Sequence, residues 1–360
     1  MRRIDADHAA TTPLAPEAFE AMRPWLESRS GNASSVHGRG EAAREAVERA
    51  RARVAALLGA KSEEIVFTAS GSEANNLALK GVMFAAPEAR RRLVVSAIEH
   101  PSVLETARHL ESRGFALTIV PVGPSGVLDP ERLAEVLGPD VALVSVMWVN
   151  NEIGTIQPVA EIARRAHAAG ARFHCDAIQA LGRLPVDVAA VDADLLSLAA
   201  HKFHGPLGAA ALIVRHRTRL VPLVHGGHQE RSRRAGTENV AAIAGLGAAA
   251  DRAAQHLAAG APRAAFDLGD RLLAGLLAAL HELDREGISV STGSACSAAS
   301  PGPSHVLTAL GLTAEEAHAS VRFSLGDDVT EEDVQSLIEI TPRVVERLRA
   351  LAGRGAVERR

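Results

Sequence analysis

The sequence predicts an α/β protein with a mostly parallel sheet flanked by helices and a smaller α+β domain at its C-terminal end. Three observations carry that reading. Short, largely apolar, β-branched runs recur through the first two thirds of the chain, as strands buried on both faces should. Helical stretches separate several of them, the spacing that parallel strands need. At 360 residues, 47% hydrophobic and 23% charged, the chain is large enough for one big core plus a second domain.

Taken in order, residues 41–58 place Val47, Ala50, Val54, Leu57 and Leu58 on one helical face, with Gly59 positioned to stop the helix. Candidate strands follow at 65–68, 93–97, 117–120, 141–149, 172–175, 194–198 and 211–214, and 161–169 reads as one of the separating helices. Residues 215–237 are Gly- and Arg-rich and aperiodic, and 240–280 reads as one long Ala/Leu helical region. Two more strands are expected at 288–291 and 321–325, then a closing helix over 331–351. The large domain is assigned to 15–250, and the small one to 1–14 with 251–360.

The net charge of −4 gives no electrostatic reason for a nucleic-acid or acidic-membrane partner, so a small metabolite is the expected one. Asp5 interrupts the N-terminus where a secretory signal needs an apolar stretch, and the apolar run 240–250 is too short to span a bilayer. A cytoplasmic protein is expected. Two cysteines do not make a disulfide framework. Cys175, at a strand end, reads as a small buried hydrophobe; Cys296, in the small-residue loop STGSACSAAS, reads as a mobile nucleophile.

Ligands of open α/β sheets sit beyond the carboxyl ends of the strands. There the sequence places Gly71, Ser72 and Glu73 opening a helix, then His100, then Asn150, Asn151 and Glu152, then Asp176 and Gln179, and finally His201 and Lys202. Singly, each has a blander explanation: a turn and N-cap, a loop histidine, a solvated charge. Together they meet the needs of pyridoxal phosphate: a helix start for the phosphate, an aspartate for the pyridine nitrogen and a lysine for the Schiff base.

The motifs DADHAATTP, SSVHGRG, IVFTASGSEANNLALKG, IEHPSVLET, VNNEIGTIQPV, HCDAIQALGRLPVD, AHKFHGP, RRAGTENV, STGSACS and VRFSLG cover nearly the whole chain. The chain resembles the group I cysteine desulfurases, class V aminotransferase relatives with the fold-type I architecture of pyridoxal-phosphate enzymes. The resemblance implies conversion of L-cysteine to L-alanine, with the sulfur held as a persulfide on Cys296 for iron–sulfur cluster assembly or thiolation. It implies that Lys202 carries the cofactor, Asp176 partners the pyridine nitrogen, and His100 stacks on the ring and moves protons. Gln179 would bond the ring's phenolic oxygen, Asn151 would lie near that oxygen and the substrate carboxylate, and Arg322 would clamp the carboxylate. Gly71, Ser72 and His201 would hold the phosphate, with Thr237 reaching it across a homodimer interface. A sulfur-acceptor protein, either an iron–sulfur scaffold or a thiolation protein, would be the partner.

Two departures from the family pattern stand out. Ala199 occupies the place, three residues before the lysine, where the family usually has a serine. A segment near 280–281 looks to have been lost, which would shorten the small domain. Two other readings fit the same residues: a relative such as a selenocysteine lyase, and a cofactor-binding but impaired dimerisation or regulatory protein. No metal site is expected, although His225 and His228 have metal-like spacing.

Overall fold

The computed structural model describes residues 4–285, 302–318 and 320–357. The chain divides into two compact units, 10–259 and 1–9 with 260–360.

The larger unit is built on one seven-stranded sheet: β1 Ile65–Thr68, β2 Arg92–Ser96, β3 Ala116–Val120, β4 Val141–Met147, β5 Arg172–Asp176, β6 Leu195–Ala199 and β7 Ala210–Val214. Their order across the sheet is β1-β7-β6-β5-β4-β2-β3, and only β7 runs against its neighbours. All the other strands therefore end on one edge. Strands β4, β6 and β7 are buried at every position, which is why they read as apolar runs, broken only by Ser145 in β4 and Ser197 in β6. Helix Gly71–Ala85 lies on the sheet, its Leu77, Ala78 and Val82 sharing a core with Val66, Val95, Leu143 and Leu212.

All seven expected strands form. β4 ends at Met147 instead of continuing to 149, because Val149 pairs only with Ile156 in an isolated bridge. A buried polar cluster crosses the centre of the sheet. His174 joins Ser145 Oγ through Nδ1 (2.8 Å) and Ser197 Oγ through Nε2 (2.9 Å), linking β4, β5 and β6. Burial lowers its pKa to about 3, so the imidazole is neutral.

The long helix expected over 240–280 is broken. Val240–Ala258 and Ala261–Arg285 are separate, and Gly260, at φ +71°, supplies the left-handed turn that ends the first. The second runs unbroken through 280–281.

In the smaller unit Leu272, Val329 and Val334 are the buried residues of a small core. Gly275 allows helix Ala261–Arg285 to approach helix Glu331–Val357; a Cβ there would lie 2.3 Å from Ile338 Cδ1. The strand expected at 321–325 does not form. Ser324 alone makes a bridge, parallel to Asp7, and no further partner extends that pairing among the described residues. The strand expected at 288–291 lies outside the described residues.

Candidate active site

Because β1, β2, β4, β5 and β6 are parallel, the segments after them gather along one sheet edge. After β1, Ser70 caps helix Gly71–Ala85, its hydroxyl accepting the Glu73 N–H at 3.1 Å. The cap is thus Ser70, which leaves Gly71 and Ser72 in the first turn, where N–H groups lack partners within the helix and favour an anion. Gly71 admits no side chain without movement: a Cβ would stand 2.4 Å from Ile178 Cδ1 and 3.4 Å from the Ala199 methyl. Ala199 therefore forms part of the wall beside this helix start and brings no hydroxyl to it. Glu73 fixes the turn, accepting Ala69 N–H at 2.8 Å and pairing with Arg234 at 2.8 Å.

At the end of β5, Asp176 is buried. Its Oδ1 accepts the Ile178 N–H at 3.0 Å and its Oδ2 the Asn75 amide at 2.7 Å. Burial pushes its pKa up; the two hydrogen bonds and the attraction of His100 and Lys202 pull the other way. A cation arriving here, such as a protonated pyridine, would meet a carboxyl already oriented from behind.

After the neighbouring strand β6, Lys202 closes a short 3-10 turn, and its Nζ donates to the Ala10 carbonyl at 2.8 Å. His201 contacts Thr11 Oγ1 at 3.2 Å, and burial, then the Lys202 charge, lowers its pKa to about 4, leaving a neutral ring that can donate to an anion. After β2, His100 is more than a loop histidine: it is the N-cap of helix Pro101–Ser112. After β4, Asn150 is spent on the loop itself, donating to Ile98 O and accepting from Glu152 and Ile153 N–H, whereas Asn151 is only partly buried. Gln179 is buried in the turn after Asp176.

These residues fit pyridoxal phosphate on the chemistry of the donor set: a carboxyl, a lysine and a helix start with a glycine-only floor on one edge. Cys175 is fully buried, and burial raises its pKa, so it is inert as a nucleophile. Thr237 is exposed, two residues before Asn239 caps helix Val240–Ala258. In the smaller unit Arg322 donates to Asp7 Oδ1 at 2.5 Å. Cys296 lies outside the described residues.

Three further groups escaped the sequence reading. Asn75, fully buried beside Asp176, shows in the sequence only as a polar residue among Ala74, Leu77 and Ala78 on the inward helical face. Glu99, also fully buried, accepts Ser96 Oγ at 2.5 Å and Met147 N–H at 3.0 Å, and burial raises its pKa to about 8. Glu230 binds Arg51 through both oxygens, at 2.8 and 2.9 Å, and the Phe67 N–H at 2.8 Å. That buried pair anchors the aperiodic loop to β1, and no local signal joins residues so far apart in sequence.

The aminotransferase class-V profile matches residues 5–279. The cysteine desulfurase IscS of Dictyoglomus turgidum is 42% identical over 387 aligned positions, covering 98% of this chain and 96% of that protein. The chain belongs to the cysteine desulfurases. Another member of that family, from Cereibacter sphaeroides, is 43% identical over 99% of this chain and 100% of its own length. Among solved structures, a NifS-like protein superposes with a TM-score of 0.86 at 32% identity, covering 96% of this chain and all of that one. SspA, solved in complex with cysteine, has a TM-score of 0.73 at 36% identity, covering 89% of this chain and 99% of its own. The 387 aligned positions exceed the 360 residues present, so this desulfurase lacks residues that the Dictyoglomus relative carries.

Proposed function

We propose that this chain is a pyridoxal-phosphate-dependent enzyme that converts L-cysteine to L-alanine and leaves the sulfur on Cys296. The observation that carries the proposal is the pairing of Asp176 and Lys202 on adjacent strand ends, with Gly71 keeping side chains out of the helix start beside them. Pyridoxal phosphate, when bound, supplies the electron sink that makes the substrate's α-proton and C–S bond labile.

The protein's own groups do the rest. The first turn at Gly71 and Ser72, with neutral His201, holds the phosphate, and Asp176 keeps the pyridine nitrogen protonated. Gln179 and Asn151 orient the ring oxygen, and Arg322 exchanges Asp7 for the substrate carboxylate, a task suited to a planar guanidinium. Lys202 removes the α-proton, and His100 assists proton movement. The Cys296 thiolate then attacks the substrate sulfur: an S–S bond forms, the C–S bond breaks with its electron pair left on carbon, protonation of that carbon makes the methyl group, and return of a proton to the α-carbon from Lys202 releases alanine. The enzyme acts as a homodimer, Thr237 completing the partner's phosphate site, and hands its sulfur to an acceptor protein of iron–sulfur assembly or thiolation.

Purified protein should be yellow, and borohydride should fix the cofactor to Lys202. L-cysteine should yield alanine, and Cys296→Ala should form no protein persulfide. Protein that binds the cofactor yet makes no alanine would overturn the desulfurase reading in favour of a non-catalytic dimerisation role.

A further inference from the structure

Behind the Asp176 carboxyl lies a run of hydrogen bonds that the reaction above does not use. The Asn75 amide nitrogen carries two hydrogens, and both are engaged: one with Asp176 Oδ2 at 2.7 Å, the other with Ser102 Oγ at 2.9 Å. The Ser102 hydroxyl, accepting from Asn75, has its own hydrogen left for His100 Nδ1, 2.8 Å away. The Ser102 backbone N–H reaches the same nitrogen at 3.1 Å.

The direction of this run is fixed by chemistry. A backbone N–H can only donate, so His100 Nδ1 presents a lone pair, and the proton of the neutral ring sits on Nε2. The ring's place as N-cap of helix Pro101–Ser112 acts the same way, since a helix N-terminus disfavours added positive charge. Pro101 at the first helical position sets the turn that lets both the N–H and the hydroxyl of Ser102 meet one ring nitrogen. Asn75 cannot rotate its amide without setting its oxygen against the Asp176 carboxylate, and it is fully buried. Among the described residues, the charged and titratable groups around the relay include Asp176 after β5, Lys202 after β6, Glu99 next to His100 in the chain and the buried Cys175 thiol beside Asp176.

We propose that Ser102 and Asn75 are positioning residues: they hold His100 in its Nε2–H tautomer and tie its orientation to Asp176. The catalytic consequence rests on the role given to His100 under the proposed function, but the tautomer does not. With Nδ1 accepting from both donors of Ser102, the proton of the neutral His100 ring is held on Nε2. Loss of the Ser102 hydroxyl removes the shorter of the two contacts to Nδ1 and leaves the backbone N–H at 3.1 Å to hold the tautomer alone, a weaker bias.

The test uses the full-length chain labelled with ¹⁵N-histidine, with and without pyridoxal phosphate, the His100 signals being assigned by their loss in His100→Gln. The expected wild-type spectrum has an unprotonated Nδ1 and a protonated Nε2 on His100. Ser102→Ala should mix the tautomers and move the acid limb of kcat/KM for alanine formation upward by about half to one pH unit, the size of one neutral hydrogen bond. Ser102→Thr, which keeps the hydroxyl, should restore both. A wild-type His100 protonated on Nδ1, or a Ser102→Ala protein with the wild-type imidazole spectrum, would overturn the proposal. If the imidazole signals behave as expected while wild type makes no alanine, the relay stands and the desulfurase reading fails.

Discussion

Glu230→Ala should cost the larger unit about 3–5 kcal/mol, the penalty for removing one partner of a buried ion pair. The magnitude follows from what Glu230 holds. Arg51 loses both of its bonds to Glu230 and stays buried with the Ile65 carbonyl and Glu48, while the Phe67 N–H loses its acceptor. Glu230, Arg231 and Ser232 sit consecutively at φ +47°, +56° and +62°, a left-handed conformation that the Glu230 bonds to Arg51 and Phe67 hold in place. Without Glu230 the loop relaxes away from that conformation, and Thr237 a few residues on loses its fixed position. Urea unfolding followed by fluorescence of the two tryptophans, with hydrogen exchange at Phe67, measures the loss. The double variant Arg51→Met/Glu230→Leu should recover most of it, because both charges leave together. A Glu230→Ala protein within about 1 kcal/mol of wild type, below the buried-pair range, would refute the reasoning.

Glu99 gives a pH prediction. Its folded pKa of about 8 lies above the ordinary 4.5, so between those values the native protein binds the extra proton. Stability of the cofactor-free chain should therefore fall as pH rises through that window, and Glu99→Gln should flatten the decline in urea midpoints from pH 5 to 8. Gly71→Val should fold within about 1–3 kcal/mol of wild type, the usual range for overpacking, yet retain no yellow cofactor, because its Cβ stands 2.4 Å from Ile178 Cδ1; undiminished cofactor absorbance would contradict the anion-site assignment. Arg322→Lys should raise KM for cysteine more than it lowers kcat, because a point charge replaces a bidentate fork; unchanged KM would remove Arg322 from the substrate site.

Burial made the larger unit legible. Strands covered on both faces must be apolar along their length, so 65–68 and 211–214 stand out between turn residues, and Cys175 reads correctly as core. That Lys202, Asp176 and His100 share one sheet edge was legible because each lies at or shortly beyond the end of such a strand. Glu99 was not, since a carboxylate beside a strand end looks like a solvated charge until Met147 N–H is seen to enclose it. Ser102 shows in the sequence only as a serine after Pro101, with nothing to mark its contact with Asn75. The break at Gly260 was hidden in an Ala-rich stretch where the helical period continues on both sides, and 321–325 has a strand's composition without a partner along its length among the described residues.

The most direct measurement is a single turnover: purified protein loaded with pyridoxal phosphate, mixed with less than one equivalent of L-cysteine and no added thiol. Alanine should appear in step with the cysteine consumed, and mass spectrometry should find one extra sulfur atom on the Cys296 peptide and none on Cys175. Alanine with sulfide released and Cys296 unchanged would contradict the transfer to Cys296, and cysteine left intact would contradict the assignment of this site to desulfuration altogether.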